Sequence, residues 1–246
     1  MQVVGSLMGV LLATGCSSST PEAVPSCTAG GATITPEQAA NATTIAAVGK
    51  RLGLPSHAVT VALATAFQES KLRNLDYGDR DSLGLFQQRP SQGWGPPALI
   101  RTPRLSAASF YRHLERIPGW ARLPVTVAAQ KVQHSGAPEA YAQWEEPSRE
   151  LAVALTGEVP AGFACQFTPN ARPGTGPALQ EAAVLELGPG GLARVATPAL
   201  RWTTASWLVG HAEQFGLSTV STGGRTWRAK RGTWTPDPRA SSLTWS

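Results

Sequence analysis

Glu69 closes an apolar run from Val59 to Ser70, and a glycine-bearing stretch, Ser82 to Gln88, follows a dozen residues later. The run has the composition and spacing of a buried helix. A carboxyl group at such a helix end is doubly disfavoured as an anion. Desolvation penalises the charged form, and the partial negative charge of the helix C-terminus repels it. Those conditions suit a group that must hold a proton near neutral pH and give it up to a leaving oxygen. Ala62, Ala66 and Glu69 fall on one line at spacing i, i+4, i+7, so two small side chains leave the carboxyl room to face a cleft. The bland alternative is a helix-end carboxylate paired with Lys71 or Arg73.

Three aspartates, Asp76, Asp79 and Asp81, follow directly. Acid-assisted cleavage of a glycosidic bond by water needs a second carboxylate, about 5–5.5 Å away for retention or about 6.5–9.5 Å for inversion. Each aspartate is a candidate, and each also has the chemistry of a turn residue that caps local amides. Trp94 stands between Gly93 and Gly95, placed to stack on a sugar ring or to anchor its loop. The aspartate spacing is not that of a calcium loop, and the four histidines are scattered. No cofactor or metal site is therefore expected.

Gln68-Glu69-Ser70 followed by Gly84-Leu85-Phe86-Gln87 resembles the paired signatures of the lysozyme-like superfamily, soluble lytic transglycosylases in particular. The longer string from Gln68 to Gly95 resembles a lysozyme-like group of secreted actinobacterial proteins. The resemblance spans roughly residues 33 to 157. It implies a mainly α, lysozyme-like helical domain with a minor β lobe, and cleavage of the MurNAc-β-1,4-GlcNAc bond of peptidoglycan glycan strands. It makes Glu69 the catalytic acid and lines the substrate cleft with Ser70 and Gln87, with Gln88 beside them; loop hydrogen bonding is the other reading of these three. Gly84 is expected to permit a close backbone approach that a Cβ would obstruct. It puts a tyrosine, here Tyr141, near the acid, although Ala140-Tyr141-Ala142-Gln143 departs from the usual local pattern. Tyr141 packed in the core is the other reading. Lytic transglycosylases manage with one glutamate because the MurNAc C6 hydroxyl replaces water. That anhydro route is favoured over hydrolysis, since no single aspartate stands out.

These residues need a helical frame. Thr35-Pro36-Glu37-Gln38 has the chemistry of a helix start, and the periodicity predicts a helix from there to about Leu52. Ser56 is the expected cap of the helix that carries Glu69. From Asn74 to Pro97 the apolar period is lost, which predicts a loop and small hairpin along the cleft. Further helices are expected over 103–116, 127–134 and 138–155.

Around this domain, 34–157, the chain divides by composition. Residues 1–16 read as a lipoprotein-type signal segment. Val3 to Thr14 is too short to span a bilayer, and Leu12-Ala13-Thr14-Gly15-Cys16 resembles a lipobox with Cys16 as the lipidated residue. This implies an extracytoplasmic protein, lipid-anchored at the outer face of the cytoplasmic membrane or in the cell wall. Residues 17–33 read as a tether and 158–177 as a linker. Cys27 and Cys165 bracket the domain, and a disulfide between them is expected outside the cytoplasm.

Residues 178–246 are expected to form a small α/β wall-associated module, with one helix over 202–215 and a hairpin at Gly223-Gly224. Five of the eight tryptophans lie there, beside Arg225, Arg228, Lys230 and Arg231, a combination suited to anionic wall polymers; the other reading is that the tryptophans supply the core of a module too small to build one from aliphatics. Trp202 and Trp207, five apart, are expected on different faces. The net charge is +5, yet residues 36–157 carry no basic stripe with interleaved aromatics, so nucleic acid is not an expected partner. The competing reading is a non-catalytic wall- or solute-binding lipoprotein, attached to a transport system or not, that keeps the cleft without turnover.

Overall fold

The computed structural model describes residues 24–169 and 176–246. Cys16 and the signal-type segment lie outside the described residues, as does part of the expected tether and linker. The described chain is mainly α, with two small antiparallel sheets.

Helix α1 (Pro36–Arg51) starts as its sequence dictates. The Thr35 hydroxyl accepts from the Gln38 amide at 3.3 Å, and the Gln38 side chain accepts from the Thr35 amide at 2.8 Å. This reciprocal cap satisfies two amides that a helix start leaves open. Helix α2 (Ser56–Ser70) differs from expectation at its start. Pro55 takes the cap position and Ser56 is the first helical residue, with no side-chain cap bond. Proline already has the fixed φ that this position tolerates.

Every residue of α2 from Ala58 to Phe67 is buried, because helices surround it. After α3 (Pro97–Ile100) come α4 (Pro103–Glu115), α5 (Val125–Gln133) and α6 (Glu145–Leu155). Of these, α1, α4, α5 and α6 pack on α2. A helix apolar all round must be central. Thr60 and Thr65 satisfy their hydroxyls on the carbonyls four residues back, so they enter this core without an open polar atom.

Strands occupy stretches that composition assigns to tether and linker. β1 (Ser26–Ala29) and β2 (Ala32–Ile34) form a hairpin that takes up the end of 17–33 and runs one residue past it, and β3 (Phe163–Gln166) lies within 158–177. The order is β2-β1-β3, with Cys27 opposite Cys165 and a disulfide between them. Each strand alternates, turning Cys27, Ala29, Ala32, Ile34, Phe163 and Cys165 inward. Runs of three or four residues are too short for that period to stand out among glycines and prolines. The cleft loop itself holds no strand, only an isolated antiparallel bridge between Leu83 and Gln88.

Residues 176–246 contain α7 (Gly176–Leu187), α8 (Pro198–Gly210) and α9 (Ala212–Phe215). A second sheet follows, with β4 (Thr219–Thr222), β5 (Arg225–Arg228), β6 (Thr233–Pro236) and β7 (Thr244–Trp245) in order β6-β5-β4-β7. The expected hairpin is present, with Gly223 and Gly224 both at positive φ, as a two-residue turn between twisted strands requires. The expected single helix is two, broken at His211.

This part is docked on the first. α8 packs on α1, α6, β3 and β4, and both Trp202 and Trp207 are buried rather than one of them. The Glu186 carboxylate accepts from Thr44 of α1 at 2.8 Å and from the Trp207 indole at 2.7 Å. Trp227 donates to the Cys165 carbonyl at 2.9 Å and Trp234 to the Phe163 carbonyl at 2.8 Å. These tryptophans are core and seam, not a stacking surface. Among the described residues no helix is long and apolar enough to cross a membrane.

Candidate active site

Glu69 is the second-last residue of α2, at the point where the buried helix reaches a cleft. It is half-buried. Its Oε1 accepts a hydrogen bond of 2.7 Å from the hydroxyl of Tyr141, a fully buried side chain on the 3-10 segment Pro138–Trp144. Among the described residues no Lys or Arg forms an ion pair with Glu69, so the bland pairing with Lys71 or Arg73 is not what holds it. Burial first, and the negative charge of Glu69 second, push the Tyr141 hydroxyl well above the usual phenol range. Tyr141 is thus a fixed neutral donor aimed at the carboxyl group.

The neighbours of Glu69 keep this geometry. Gln68 accepts from the Trp144 indole at 2.9 Å and from Gln143 at 3.2 Å, which clamps the tyrosine segment to α2. Phe67 stacks on Trp144, and the Lys71 ammonium lies over the same indole at 4.2 Å. Past Glu69 the helix ends through Lys71 and Leu72, both at positive φ. Their carbonyls accept from Gln38 at 2.7 Å and Asn41 at 2.8 Å on α1. The acid sits between two anchored segments.

The Gly84-Leu85-Phe86-Gln87 stretch is a tight turn across the Leu83–Gln88 bridge. Leu85 and Phe86 are fully buried, Phe86 stacked on Phe110, and this leaves Gln87 on the cleft. Ser70 does not face the cleft. It is buried, with its hydroxyl 2.8 Å from the Leu85 carbonyl and 3.0 Å from that of Ala66. It ties the turn to the end of α2. Gln88 is buried too and donates to the Ser106 carbonyl at 3.3 Å. Gly84 has φ +74°, and a Cβ there would lie 2.6 Å from the Ile100 carbonyl oxygen. The close approach it permits is to the backbone of α3, not to a ligand.

The three aspartates separate. Asp81 accepts from Arg89 at 2.7 Å and from the Ser91 amide at 2.8 Å and hydroxyl at 3.0 Å. Those bonds hold its carboxyl well below the usual carboxylate range and commit it to the loop. Asp76 is exposed and is not among the residues lining the cleft. Asp79 lines the cleft beside Glu69, but its side chain is 91% exposed and its ion-pair partner, Arg80 at 4.0 Å, is exposed as well.

The cleft, about 250 Å³, is lined by Glu69, Asp79, Gln87 and Trp94, and also by Gln133 and Ser135. The last two come from the end of α5 and the turn after it, and sequence reasoning missed them. Gln133 donates to the Phe86 carbonyl at 2.8 Å, one residue on from the carbonyl that Ser70 holds. No local pattern marks a polar residue at a helix end as facing a site contributed mainly by other elements. Another cavity, about 350 Å³, lies where β1, residues 160–164 and the second sheet meet; its one charged lining residue is Arg225, so it offers no acid. Among the described residues no group of three or more His, Cys, Asp or Glu is placed to hold a metal ion.

Chemically, the arrangement offers one positioned carboxyl group, a neutral phenol bonded to it, amide side chains and an indole. Compared with known proteins, the sequence matches no family model and has no significant match among curated proteins.

Proposed function

We propose that this protein is a lysozyme-like glycosidase that cleaves the MurNAc-β-1,4-GlcNAc bond of peptidoglycan, as a lytic transglycosylase. The observation that carries this reading is the single oriented acid: Glu69 at the mouth of a buried helix, with one oxygen on Tyr141 at 2.7 Å. Glu69 in its protonated form gives its proton to the glycosidic oxygen as the C1–O bond breaks and positive charge builds at C1. The carboxylate left behind takes the proton of the MurNAc C6 hydroxyl as O6 bonds to C1, closing a 1,6-anhydro ring. Tyr141 keeps the carboxyl in one orientation through both steps.

The aspartates favour this route over hydrolysis. Asp81 is committed to Arg89 and Ser91, Asp76 is not on the cleft, and Asp79 is solvent-exposed and paired with Arg80. The disulfide supports a location in an oxidising compartment outside the membrane, in keeping with the lipid attachment expected at Cys16. The test is digestion of purified sacculi by wild type and Glu69→Gln, with mass spectrometry of the muropeptides. Ends lighter by one water than the hydrolysed product, made by wild type and absent with Glu69→Gln, are expected. Reducing ends instead would establish hydrolysis, and lysis by Glu69→Gln at the wild-type rate would remove Glu69 as the acid.

A further inference from the structure

The turn between β5 and β6 gathers positive charge. Arg228 ends β5, and Lys230 and Arg231 follow before Gly232, at φ +65°, turns the chain into β6. The backbone of this turn is fixed. The Arg231 and Gly232 amides both donate to the Arg228 carbonyl at 3.0 Å, and the Ala229 amide donates to the Ser218 carbonyl at 3.0 Å. The Ala229 carbonyl accepts from the Phe167 amide at 3.1 Å. Ala229 is buried, while Arg228, Lys230 and Arg231 are exposed.

These cations are not used within the protein. Among the described residues Lys230 and Arg231 form no ion pair. Arg228 has the field of Asp237, a carboxylate already held by Thr226 and Arg239. Two hollows, about 300 and about 310 Å³, share Lys230, and Phe167 and Pro169 give them apolar wall. The hydroxyls beside Arg228 and Arg231 are spent: Ser218 donates to the Ser246 carbonyl at 3.2 Å, and Thr219 pairs with the Ser246 hydroxyl at 2.7 Å. What remains for a partner is positive charge beside apolar surface, which suits a phosphodiester headgroup.

The place where the chain enters the fold decides which phosphodiester. Ser26, the first residue of β1, pairs with Gln166 of β3. The Gln166 side chain donates to the Lys230 carbonyl at 3.3 Å, and a Cβ added at Gly232 would lie 2.5 Å from that of Gln166. The chain thus enters one strand away from the basic turn. Ser26 is ten residues along from Cys16, a reach of at most about 35 Å. With an acyl chain on Cys16, that reach keeps the turn beside a membrane surface. Stable anchoring takes two signals, and an acyl chain with a basic patch is one such pair.

From this placement we infer that the β5–β6 turn is a membrane-facing surface that docks anionic phospholipid headgroups through Lys230 and Arg231, and so sets how the lipid-anchored protein stands on its membrane. The inference rests on the reading of Cys16 as lipidated and not on the glycosidase reading. The test is co-sedimentation of the full chain carrying Cys16→Ser, which has no acyl chain, with vesicles of phosphatidylcholine alone and of phosphatidylcholine mixed with phosphatidylglycerol. A gain in affinity with the anionic lipid is expected, lost as salt rises past ~0.1–0.3 M. Lys230→Gln with Arg231→Gln should reduce that affinity about 25-fold, about fivefold for each charge, with unchanged melting. Arg112→Gln with Arg116→Gln, which removes the same charge from α4, should leave it as it was.

No gain with anionic lipid, or an equal gain in both double variants, overturns the surface. So does binding to sacculi, but not to vesicles, that Lys230→Gln with Arg231→Gln abolishes; the turn would then serve an anionic wall polymer. Incorporation of labelled palmitate by wild type and not by Cys16→Ser reads the anchor separately. Label without the vesicle gain leaves the anchor and removes the surface, and the vesicle gain without label leaves the surface and removes the anchor.

Discussion

One hydroxyl organises the acid. Tyr141 is buried, neutral and 2.7 Å from Glu69, so it fixes which carboxyl oxygen remains to face the cleft. On the proposed mechanism, replacing Glu69 by Gln removes the proton donor, and lysis should fall by about 10²–10⁴-fold, the usual worth of a general acid. Tyr141→Phe keeps the packing and loses the orienting bond; turnover is expected to fall about tenfold with little change in KM. The same pair is visible by spectroscopy. Burial and the Glu69 charge both raise Tyr141 above the ordinary phenol value. In Glu69→Gln the charge is gone and burial remains, so the Tyr141 ionisation should move down in an alkaline absorbance titration. Of the three tyrosines, Tyr77 is exposed and Tyr111 is raised by burial alone, so only one of the two late transitions should shift. Because Tyr111 and Tyr141 both have folded-state values above the unfolded one, their contribution to stability is complete below pH ~10. It is lost as pH climbs from there through the folded-state values, and melting temperature should fall accordingly on the alkaline side.

The elements position that pair through a turn held from three directions. Ser70 meets the Leu85 carbonyl, Gln133 donates to that of Phe86, and the Gly84 amide donates to Leu75 at 2.7 Å. Gly84→Ala puts a Cβ at positive φ and 2.6 Å from a backbone oxygen. It should cost at least ~1–3 kcal/mol and lower lysis with it, measured by urea denaturation and zymography. A normal melting curve for that variant would mean that the turn and α3 move apart freely. What was readable in the sequence follows the range of its causes. The Thr35 cap, the buried run of α2 and the Gly223-Gly224 turn each depend on neighbours within a few residues, and all three are present. The placing of Glu69 at a helix end and the Gly-Leu-Phe-Gln turn are legible because their types and spacing are local too. Ser70 and Gln88 are equally local in sequence, yet their hydroxyl and amide are spent on carbonyls that only the folded chain brings near. Asp81 was one of three equal candidates until Arg89 and Ser91 closed on it. β1 and β3 pair across most of the chain, and strands of four residues carry no period long enough to announce that partnership. Gln133 and Ser135 come from a helix end far along the chain, and nothing beside them signals a cleft.

At the scale of the whole molecule, the second part of the chain is a buttress. Composition suggests a wall-binding module on a flexible linker, but Trp202, Trp207 and Trp227 are buried and Trp234 is partly so, leaving only Trp245 of the five exposed. Strand β3 runs antiparallel to β1, and the disulfide joins the two. Even the basic residues do not form one patch: Arg225 faces the cavity beside β1, whereas Arg228, Lys230 and Arg231 surround a separate hollow near Ser218. The disulfide closes a span of 138 residues, for which the loss of unfolded-state entropy is worth about 5 kcal/mol in the chain-entropy account. Cys27→Ser with Cys165→Ser should therefore melt far below wild type, and wild type under reducing conditions should follow it. Deleting residues 178–246 tests the buttress directly. That cut leaves Thr43 and Thr44 of α1, now buried, without Glu186 and His211, and leaves the Phe163 and Cys165 carbonyls without their indoles. An independent wall-binding module would, on deletion, reduce lysis of intact sacculi and spare cleavage of short soluble glycans. A buttress gives the opposite pattern: the truncated chain should lose cooperative melting and lose activity on both substrates together, because α1 is the helix whose Gln38 and Asn41 hold the chain just past Glu69.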